Sequence, residues 1–538
     1  MANGIHTELT FEASIEASLL EKGGYVKGFS KDFDPQTGIF PSYVIDFLSQ
    51  SQPKAWEKIS NIHKSDVHQK VINRLLSELE SRGTLDVVRN GFKDYGVKFE
   101  MGYFRPESSL NPEAEIAYRK NHLSVTRQLY YERKGNNSID MVLSLNGLPI
   151  ATIELKNQFS GQSVDNAKKQ YVYDREATEP IFQFKKRSLV HFAVDTDECY
   201  MTTQLAGKNT RYLPFNLGCS NGAGNPVNKE GYKTAYLWEY VWAKDSFMDI
   251  IGKFLHLNVQ EFELDGIKKK KETIIFPRFH QMEVVRKITA DAKEKGAGQN
   301  YLIQHSAGSG KSNSIAWLSY RLSSLHNEKN ERIFDSVLVI TDRTALDSQL
   351  QDTIYQFEHK QGVVKKIDKD SQQLADPITA GSNIIITTLQ KFPFVLDKIG
   401  ELKSKNYAVI IDEAHSSQGG EATKKMKEVL SPRTLEDAEK EEVFSGLDED
   451  AEDEIRKSME ARGRQENLSF FGFTATPKPK TLEVFGTADI DGKPKPFHLY
   501  SMRQAIEEHF ILDVLKNYTT YQTYFRLSKE IEDDPKVN

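Results

Sequence analysis

Apolar residues follow two different patterns along the chain. From about residue 300 onward, short runs of β-branched and aromatic residues recur, and segments with helical periodicity separate them. Strands that alternate with helices are typical of a parallel sheet covered by helices on both faces. We therefore predict an α/β domain in the second half of the chain. The strand-like runs are residues 301–304, 337–340, 384–387, 408–411 and 470–473.

The pattern of the first half of the chain predicts a mixture of β-hairpins and helices. Two apolar runs, residues 138–145 and 148–155, meet at Asn146-Gly147, and Asn-Gly between apolar runs is a strong signal for a β-hairpin. We expect an α+β domain here. A run of four lysines, residues 268–271, marks the change of pattern. We place the first domain at residues 1–262 and the second at residues 263–480.

Composition narrows the class of protein. The chain has 538 residues, of which 38% are hydrophobic and 28% charged, as in a soluble globular protein with room for several domains. No stretch approaches the roughly 18 consecutive apolar residues of a membrane span, and the N-terminal residues do not resemble a secretion signal. Cys199 and Cys219 are too few for a disulfide framework or a cysteine-rich zinc site. We expect a cytoplasmic protein without membrane contact.

The charge is unevenly distributed. The net charge is −6, but residues 434–455 carry eleven acidic residues against Lys440 alone, so the rest of the chain is at +4. A slightly basic body is compatible with nucleic-acid binding without requiring it. The simplest interpretation of the acidic segment is a solvated charged loop.

A glycine-rich segment follows the first strand-like run of the second half. Residues 305–312 read His-Ser-Ala-Gly-Ser-Gly-Lys-Ser, and a helical pattern begins at about residue 313. Strand, glycine-rich loop and helix form the context of a P-loop, whose backbone N–H groups surround the phosphates of ATP. Lys311 would neutralise the phosphates, and Ser312 would coordinate Mg²⁺. The predicted nucleotide-binding residues of this loop are Ala307, Gly308, Ser309, Gly310, Lys311 and Ser312.

A second segment supports a nucleotide site. Residues 408–411 form a buried-type strand that ends in Asp412 and Glu413. The carboxyl end of a parallel strand faces the crevice in which ligands bind. Asp412 is suited to hold Mg²⁺ through water, and Glu413 to orient or deprotonate the attacking water.

Another set of charged residues lies on the predicted hairpin of the first half. Asp140 and Glu154 are candidates to share one Mg²⁺, and Lys156 to position a water or stabilise charge on a phosphate. With a regular two-residue loop, Asp140 would lie opposite Ile153 and on the other face from Glu154. An odd loop or a β-bulge would bring Asp140 and Glu154 to one face. We therefore predict an odd loop or a bulge, since a regular two-residue hairpin would exclude the shared metal site.

Several motifs of the second half resemble those of superfamily 2 helicases in the same order. Asp412-Glu-Ala-His415 and Thr474-Ala-Thr476 resemble motifs II and III, and residues 276–281 resemble the adenine-reading segment. Residues 340–349 and 387–391 resemble motifs Ia and Ib, which in that group contact DNA backbone or couple nucleotide state to DNA binding. The resemblance implies a RecA-like ATPase lobe in which Arg278 and Gln281 contribute to nucleotide binding.

The hairpin residues Asp140 and Glu154-x-Lys156 resemble the core of PD-(D/E)xK nucleases. The segment Gln170-Tyr-Val-Tyr173 resembles the Gln/Tyr motif of a nuclease subgroup, with one residue fewer between the two side chains. The resemblance implies catalytic roles for Gln170 and Tyr173. Glu12 or Glu16 of the N-terminal helix is a candidate additional acid.

A Glu-x-Lys nuclease followed by a superfamily 2 ATPase resembles the restriction (motor) subunit of type I restriction–modification enzymes. That family translocates duplex DNA at the expense of ATP and cleaves it with Mg²⁺, in complex with methyltransferase and specificity subunits. The segments that carry this resemblance begin at Phe33, Trp56, Arg127, Thr152, Gln304 and Val339.

The chain departs from this family in length. The resemblance implies a chain about twice as long, and residues 481–538 are expected to form a linker and the start of an incomplete second RecA-like lobe. Without an arginine from a second lobe, we expect the chain to bind Mg-ATP, hydrolyse it slowly and not translocate. Two alternatives stay open: a helicase–nuclease of another defence or repair system, and a non-catalytic chain that binds ATP or DNA.

Overall fold

The computed structural model describes residues 8–106, 111–264, 267–341, 350, 352–356, 364–366, 383–388, 404–412, 466–488 and 492–512. None of the helices in these ranges combines the length and the apolar character needed to cross a lipid bilayer. The α-helices are α1 Glu8–Glu21, α2 Pro41–Ser51, α3 Pro53–His63, α4 Val67–Arg82, α5 Thr84–Asn90, α6 Pro112–Arg119, α7 Val164–Tyr173, α8 Lys244–Asp249, α9 Phe279–Lys295, α10 Lys311–Ser323, α11 Pro479–Phe485 and α12 Met502–Glu507.

The strands form two large sheets and three small two-stranded ones. They are β1 Val26–Lys27, β2 Phe92–Asp94, β3 Val97–Phe99, β4 Leu123–Tyr130, β5 Ser138–Leu145, β6 Leu148–Leu155, β7 Val190–Val194, β8 Cys199–Thr202, β9 Leu213–Pro214, β10 His256–Leu264, β11 Ile267–Ile275, β12 Asn300–His305, β13 Ser336–Thr341, β14 Val364–Lys366, β15 Ile384–Thr388, β16 Tyr407–Ile411, β17 Leu468–Thr474, β18 Thr487–Ala488, β19 Pro494–Lys495 and β20 His498–Tyr500.

The first large sheet is mixed and has the order β1-β4-β5-β6-β7-β8-β9. Strand β5 runs antiparallel to both of its neighbours, β4 and β6, whereas β7 is parallel to β6. Every residue of β6 is buried, because helices α1 and α7 pack against this part of the sheet. The α+β architecture predicted for the first half is therefore confirmed.

The hairpin of β5 and β6 contains a β-bulge. The turn itself has two residues, so Leu145 pairs with Leu148, but Leu143 pairs with Ala151. Ile150 is the extra residue of β6, and from this point the register is shifted by one. Met141 consequently lies opposite Ile153, which brings the next positions, 140 and 154, to one face of the sheet. The predicted bulge is confirmed, whereas the loop is not odd.

The second large sheet is parallel throughout, with the order β14-β15-β13-β16-β17-β12-β20. All five strand-like runs of the second half are strands of this sheet. Helix α10 packs against α9 and β13. The predicted parallel α/β domain is confirmed.

The described residues after 480 add an edge strand to the parallel sheet, since β20 pairs in parallel with β12. The linker and the start of a second lobe expected for residues 481–538 stay a prediction. The side chains of His498 and Tyr500 point inward, where His498 bonds to His305 and Tyr500 stacks on His280. A run of three residues does not reveal which strand it will pair with. The contacts of His498 and Tyr500 fix β20 beside β12. Residues 513–538 lie outside the described residues.

The predicted boundary between residues 262 and 263 falls within the hairpin of β10 and β11. The lysine run is part of β11 and not of a linker. A continuous apolar core joins both sides of this hairpin, since Phe192 contacts Phe276 and the indole N–H of Trp317 bonds to the carbonyl of Phe254. The division into a first and a second domain stays a prediction.

Gly147, in the hairpin turn, provides a test of this geometry. It has φ of +86°, and a Cβ there would lie 2.6 Å from Cγ2 of Val44. Gly161 has φ of +78° with no atom within 4 Å of such a Cβ. We expect Gly161→Ala to lower the free energy of unfolding by about 1–2 kcal/mol, the cost of a left-handed conformation. Gly147→Ala should cost about 1–3 kcal/mol more through overpacking. Urea unfolding measures the free energy of unfolding of both variants. An equal decrease in the two would contradict the packing of the turn against α2.

Candidate functional site

Three carboxylates meet beside the hairpin of β5 and β6. One carboxylate oxygen each of Glu8, Glu12 and Asp140 lies within 4.8 Å of the others, and we name these three residues the carboxylate cluster. Asp140 comes from β5, and the two glutamates come from α1. Glu12 is 1% exposed and Asp140 is 6% exposed. The cluster is therefore a largely buried concentration of negative charge.

Helix α1 places its acids through its own periodicity. Phe11, Ile15 and Leu19 are buried in the core at four-residue spacing, and Glu8 and Glu12 occupy the adjacent face at the same spacing. Of the two candidate acids of this helix, Glu12 joins the cluster, whereas Glu16 bonds to Arg127 and Lys27. Glu8 was not predicted from the sequence, although its position four residues before Glu12 places both side chains on the same face of a helix.

Basic groups and backbone amides surround the cluster. Oδ2 of Asp140 accepts a hydrogen bond from the N–H of Leu155 at 2.8 Å and lies 3.5 Å from Nζ of Lys156. The same ammonium donates to Glu8 at 2.8 Å. Burial lowers the pKa of Lys156, but Asp140 and Glu8 outweigh it, so the pKa is raised overall. Lys156 is thus held as a cation between two acids.

Arg127 and Gln128 bind the remaining acid. Nε of Arg127 lies 3.1 Å from Glu12, and Nε2 of Gln128 donates to Glu12 at 2.9 Å. Burial raises the pKa of Glu12, with Asp140 adding to the rise. Asp140 and Lys156, both predicted from the sequence, are therefore brought together with acids from a distant helix.

Glu154 lies on the same face of the sheet but in a deeper position. Its side chain is completely buried, and Oε1 accepts from Nε of Arg175 at 2.7 Å. Oε2 has no hydrogen-bond partner within the described part of the chain. Burial, and next the charge of Asp140, raise the pKa of Glu154 to about 8 against the opposing effect of Arg175. Glu154 is therefore close to Asp140 but is paired with Arg175. Arg175 was not predicted from the sequence, because it lies after the helix that carries the Gln/Tyr segment.

Gln170 and Tyr173 lie on α7. Tyr173 is 65% exposed, and Gln170 is half-buried with an Oε1 that lacks a partner among the described residues. Neither side chain hydrogen-bonds to a described residue of the carboxylate cluster. The tyrosine that faces the sheet is Tyr171, whose hydroxyl lies 2.8 Å from that of Thr152. The predicted roles of Gln170 and Tyr173 stay predictions.

The glycine-rich loop of residues 306–310 connects β12 to the N-terminus of α10. Gly308 and Gly310 have φ of +70° and +77°, which a side chain would strain. Nζ of Lys311 lies 3.5 Å from the carbonyl of His305 at the end of β12. Ser312 is half-buried in the first turn of α10. A helix N-terminus with a glycine-rich approach is a favourable site for phosphate.

Arg278, immediately before α9, and Gln281, in the first turn of α9, hold the carbonyl groups of this loop. Nη2 of Arg278 donates to the carbonyl of Gly308 at 2.8 Å. Nε2 of Gln281 donates to the carbonyls of Ser309 and Gly310 at 3.1 and 3.0 Å. The guanidinium of Arg278 also stacks on the ring of Phe510, 3.8 Å from its centroid. The structure therefore brings both predicted nucleotide-binding residues of this segment to the loop.

Asp412 follows β16 at the carboxyl edge of the parallel sheet, the same edge at which β12 enters the loop. Its N–H donates to the carbonyl of Ile340 on β13 at 3.0 Å, and the residue is half-buried. Several predictions lie outside the described residues: Glu413, most of the Ia-like and Ib-like segments (342–349 and 389–391), and the acidic segment 434–455.

Comparisons with known proteins match both halves of the chain. The profile described as type I restriction enzyme R protein N terminus matches residues 52–210, and the SWI2/SNF2 ATPase profile matches residues 280–435. A Mycoplasma pneumoniae protein, the C-terminal part of the putative type I restriction enzyme MpnIIP endonuclease subunit, is 31% identical over 157 residues, which cover 71% of that protein and 27% of this chain. The chain belongs to the type I restriction enzyme endonuclease subunits. Most strands of its parallel sheet lie within the match to the SWI2/SNF2 ATPase profile, which supports a RecA-like ATPase lobe.

Longer relatives of the family show lower identity. The putative MjaVIIIP endonuclease subunit of Methanocaldococcus jannaschii is 24% identical over 71% of this chain and 37% of its own length. The SauCOLORF180P subunit of Staphylococcus aureus is 23% identical over 78% of this chain and 38% of its own length. The chain thus spans a little over a third of these relatives. A solved fragment of a putative HsdR subunit from Vibrio vulnificus matches with a TM-score of 0.26 and 16% identity, over 72% of this chain and 56% of that one.

The pairing of Glu154 with Arg175 predicts a pH-dependent effect on stability. In Arg175→Met, the buried carboxylate loses its partner, and breaking a buried pair in this way typically costs about 3–5 kcal/mol. Because the folded-state pKa of Glu154 is raised to about 8 from 4.5, the folded protein retains a proton that the unfolded chain releases, and this contribution to stability is lost as the pH rises towards 8. We therefore expect Arg175→Met to be more destabilised at pH 9 than at pH 6.

The control for this prediction is the double variant Arg175→Met with Glu154→Gln, which has no buried charge to compensate. It should recover most of the lost stability at pH 9. Urea unfolding in metal-free buffer measures all three proteins. An equal loss of unfolding free energy in the single and the double variant at pH 9 would contradict the claim that Arg175 compensates the charge of Glu154.

Proposed function

We propose that this chain is the nuclease and ATPase portion of a type I restriction subunit that cleaves foreign duplex DNA with Mg²⁺ after ATP-driven translocation. It would act in the cytoplasm, in complex with methyltransferase and specificity subunits. The observation that carries this proposal is the bulge at Ile150, which brings Asp140 and Glu154 to one face beside Lys156 and the acids of α1. Together they have the residue types of a PD-(D/E)xK nuclease centre.

The carboxylate cluster fits Mg²⁺, a hard cation that prefers oxygen ligands. Glu8, Glu12 and Asp140 offer three carboxylates within reach of one ion, and Oε2 of Glu154, which has no partner among the described residues, is a further oxygen donor close to Asp140. A bound Mg²⁺ would polarise a phosphate oxygen and lower the pKa of a water ligand. We assign Asp140, Glu154, Glu8 and Glu12 to holding this ion.

The residues of the chain would supply the remaining functions of the nuclease centre. Lys156 is held as a cation 3.5 Å from Asp140, where it can stabilise negative charge on a phosphate or orient a water. The N–H of Leu155 holds the Asp140 carboxylate in place. Gln170 and Tyr173 are proposed to support this centre once DNA is bound.

The glycine-rich loop is proposed to be a P-loop that binds Mg-ATP. Residues 307–310 would surround the phosphates, Lys311 would neutralise them, and Ser312 and Asp412 would hold the Mg²⁺. Arg278 and Gln281 fix the loop carbonyls, which leaves the opposite side of the loop for the phosphates. Glu413 is proposed to orient the attacking water.

The division of labour between the two centres can be tested in a complete complex with methyltransferase and specificity subunits. We expect Glu154→Ala to lower DNA cleavage at least about a hundredfold, as loss of a catalytic carboxylate does, and to leave ATP hydrolysis near the wild-type rate. Lys311→Ala should abolish both ATP hydrolysis and ATP-dependent cleavage. Glu16→Ala, on α1 but outside the carboxylate cluster, is the matched control and should retain both activities.

Gel analysis of plasmid cleavage and phosphate release during ATP hydrolysis measure the two activities in parallel. Cleavage by Glu154→Ala at the wild-type rate would contradict the nuclease assignment. Cleavage by Lys311→Ala at the wild-type rate would contradict the dependence of cleavage on this nucleotide site.

A further inference from the structure

The hairpin of β10 and β11 is a two-stranded ribbon with nine residues in each strand. It belongs to neither large sheet. Its register pairs Gln260 with Lys271, Glu261 with Lys270, Phe262 with Lys269 and Glu263 with Lys268. Because residues directly opposite each other lie on the same face of an antiparallel pair, these pairs alternate between the two faces of the ribbon.

One face of the ribbon neutralises its own charge. Lys270 lies opposite Glu261 and forms an ion pair with it at 3.0 Å. Lys268 lies opposite Glu263 on the same face. Both lysines of this face therefore have an acid directly across the ribbon.

On the other face, the described residues of the outer half include no acid. Lys271 lies opposite Gln260, and Lys269 lies opposite Phe262, all of them exposed. Phe262 is 44% exposed, and Asn258 and Thr273 form the next pair inward on this face. We name the exposed residues Gln260, Phe262, Lys269 and Lys271 the basic face of the ribbon.

The base of the ribbon is fixed to the body of the protein. Ile274 is buried in the apolar core, and its carbonyl accepts from Oγ1 of Thr203 at 2.8 Å. Glu272, on the face that carries Lys268 and Lys270, forms an ion pair with Lys185. These contacts hold one side of the ribbon against the protein, so the orientation of the basic face is set by the fold.

We propose that the basic face binds the phosphate backbone of duplex DNA. Lysine ammonium groups and the amide and hydroxyl groups of Gln, Asn and Thr are typical donors to phosphate oxygens, and an exposed aromatic ring between them can pack against deoxyribose. An acidic protein segment would also attract the lysines, but it would not explain the aromatic ring and the amides on the same face. This inference rests on the proposed function, which makes DNA the substrate.

The test uses two double variants that remove the same charge from opposite faces of one ribbon. Lys269→Ala with Lys271→Ala removes the lysines of the basic face, and Lys268→Ala with Lys270→Ala removes those that face glutamates. Binding of the full chain to a short fluorescein-labelled duplex is measured by anisotropy over a range of salt concentrations, with EDTA present to prevent cleavage. Loss of two phosphate contacts should reduce the slope of log K against log salt by about 1.8 for the first variant. The second should bind like the wild type.

A third variant, Lys269→Arg with Lys271→Arg, retains the charge and should retain the salt slope. Equal weakening by the two alanine pairs, or no change in the first pair, would overturn the assignment of DNA to the basic face while leaving the proposed function intact. Failure of the wild-type chain to bind the duplex at any salt concentration would overturn both. The far-UV circular dichroism of each variant verifies that the fold is retained.

Discussion

An extra residue in β6, Ile150, determines where the charged groups of the first sheet lie. Strands β5 and β6 are almost entirely buried, so a change of register by one residue moves a whole strand's side chains to the other face. With the bulge, positions 140 and 154 share a face, and the carboxylate of Asp140 reaches the N–H of Leu155 and the ammonium of Lys156. The geometry of the proposed nuclease centre therefore depends on one backbone irregularity.

Burying several acids together requires compensation. The three carboxylates of the cluster are balanced by Lys156 and Arg127, and the deeper Glu154 by Arg175. Even so, burial keeps the pKa of Glu154 raised to about 8, and one of its oxygens lacks a partner among the described residues. A site that is short of positive charge and has an unpartnered oxygen is one that a divalent cation would stabilise.

Local patterns predicted much of this structure, and long-range contacts account for what they missed. The β-branched runs predicted the strands of the parallel sheet, and the requirement that Asp140 and Glu154 share a face predicted the bulge near Asn146-Gly147. Glu8 was missed because it reaches the site from a helix distant in sequence, and Arg175 because it follows the helix that carries the Gln/Tyr segment. The place of the edge strand β20 beside β12 was not predicted, since it is set by contacts of His498 and Tyr500 that a three-residue run does not reveal.

The central claim is that the carboxylate cluster binds a divalent cation, and Mn²⁺ binding measured by electron paramagnetic resonance tests it most directly. In the absence of nucleotide, we expect the full chain to bind Mn²⁺, and Asp140→Asn to lose this binding because one of the three carboxylates becomes neutral. Glu16→Gln changes an acid of α1 that lies outside the carboxylate cluster, and this variant should bind Mn²⁺ like the wild type. Undiminished binding by Asp140→Asn would contradict the account.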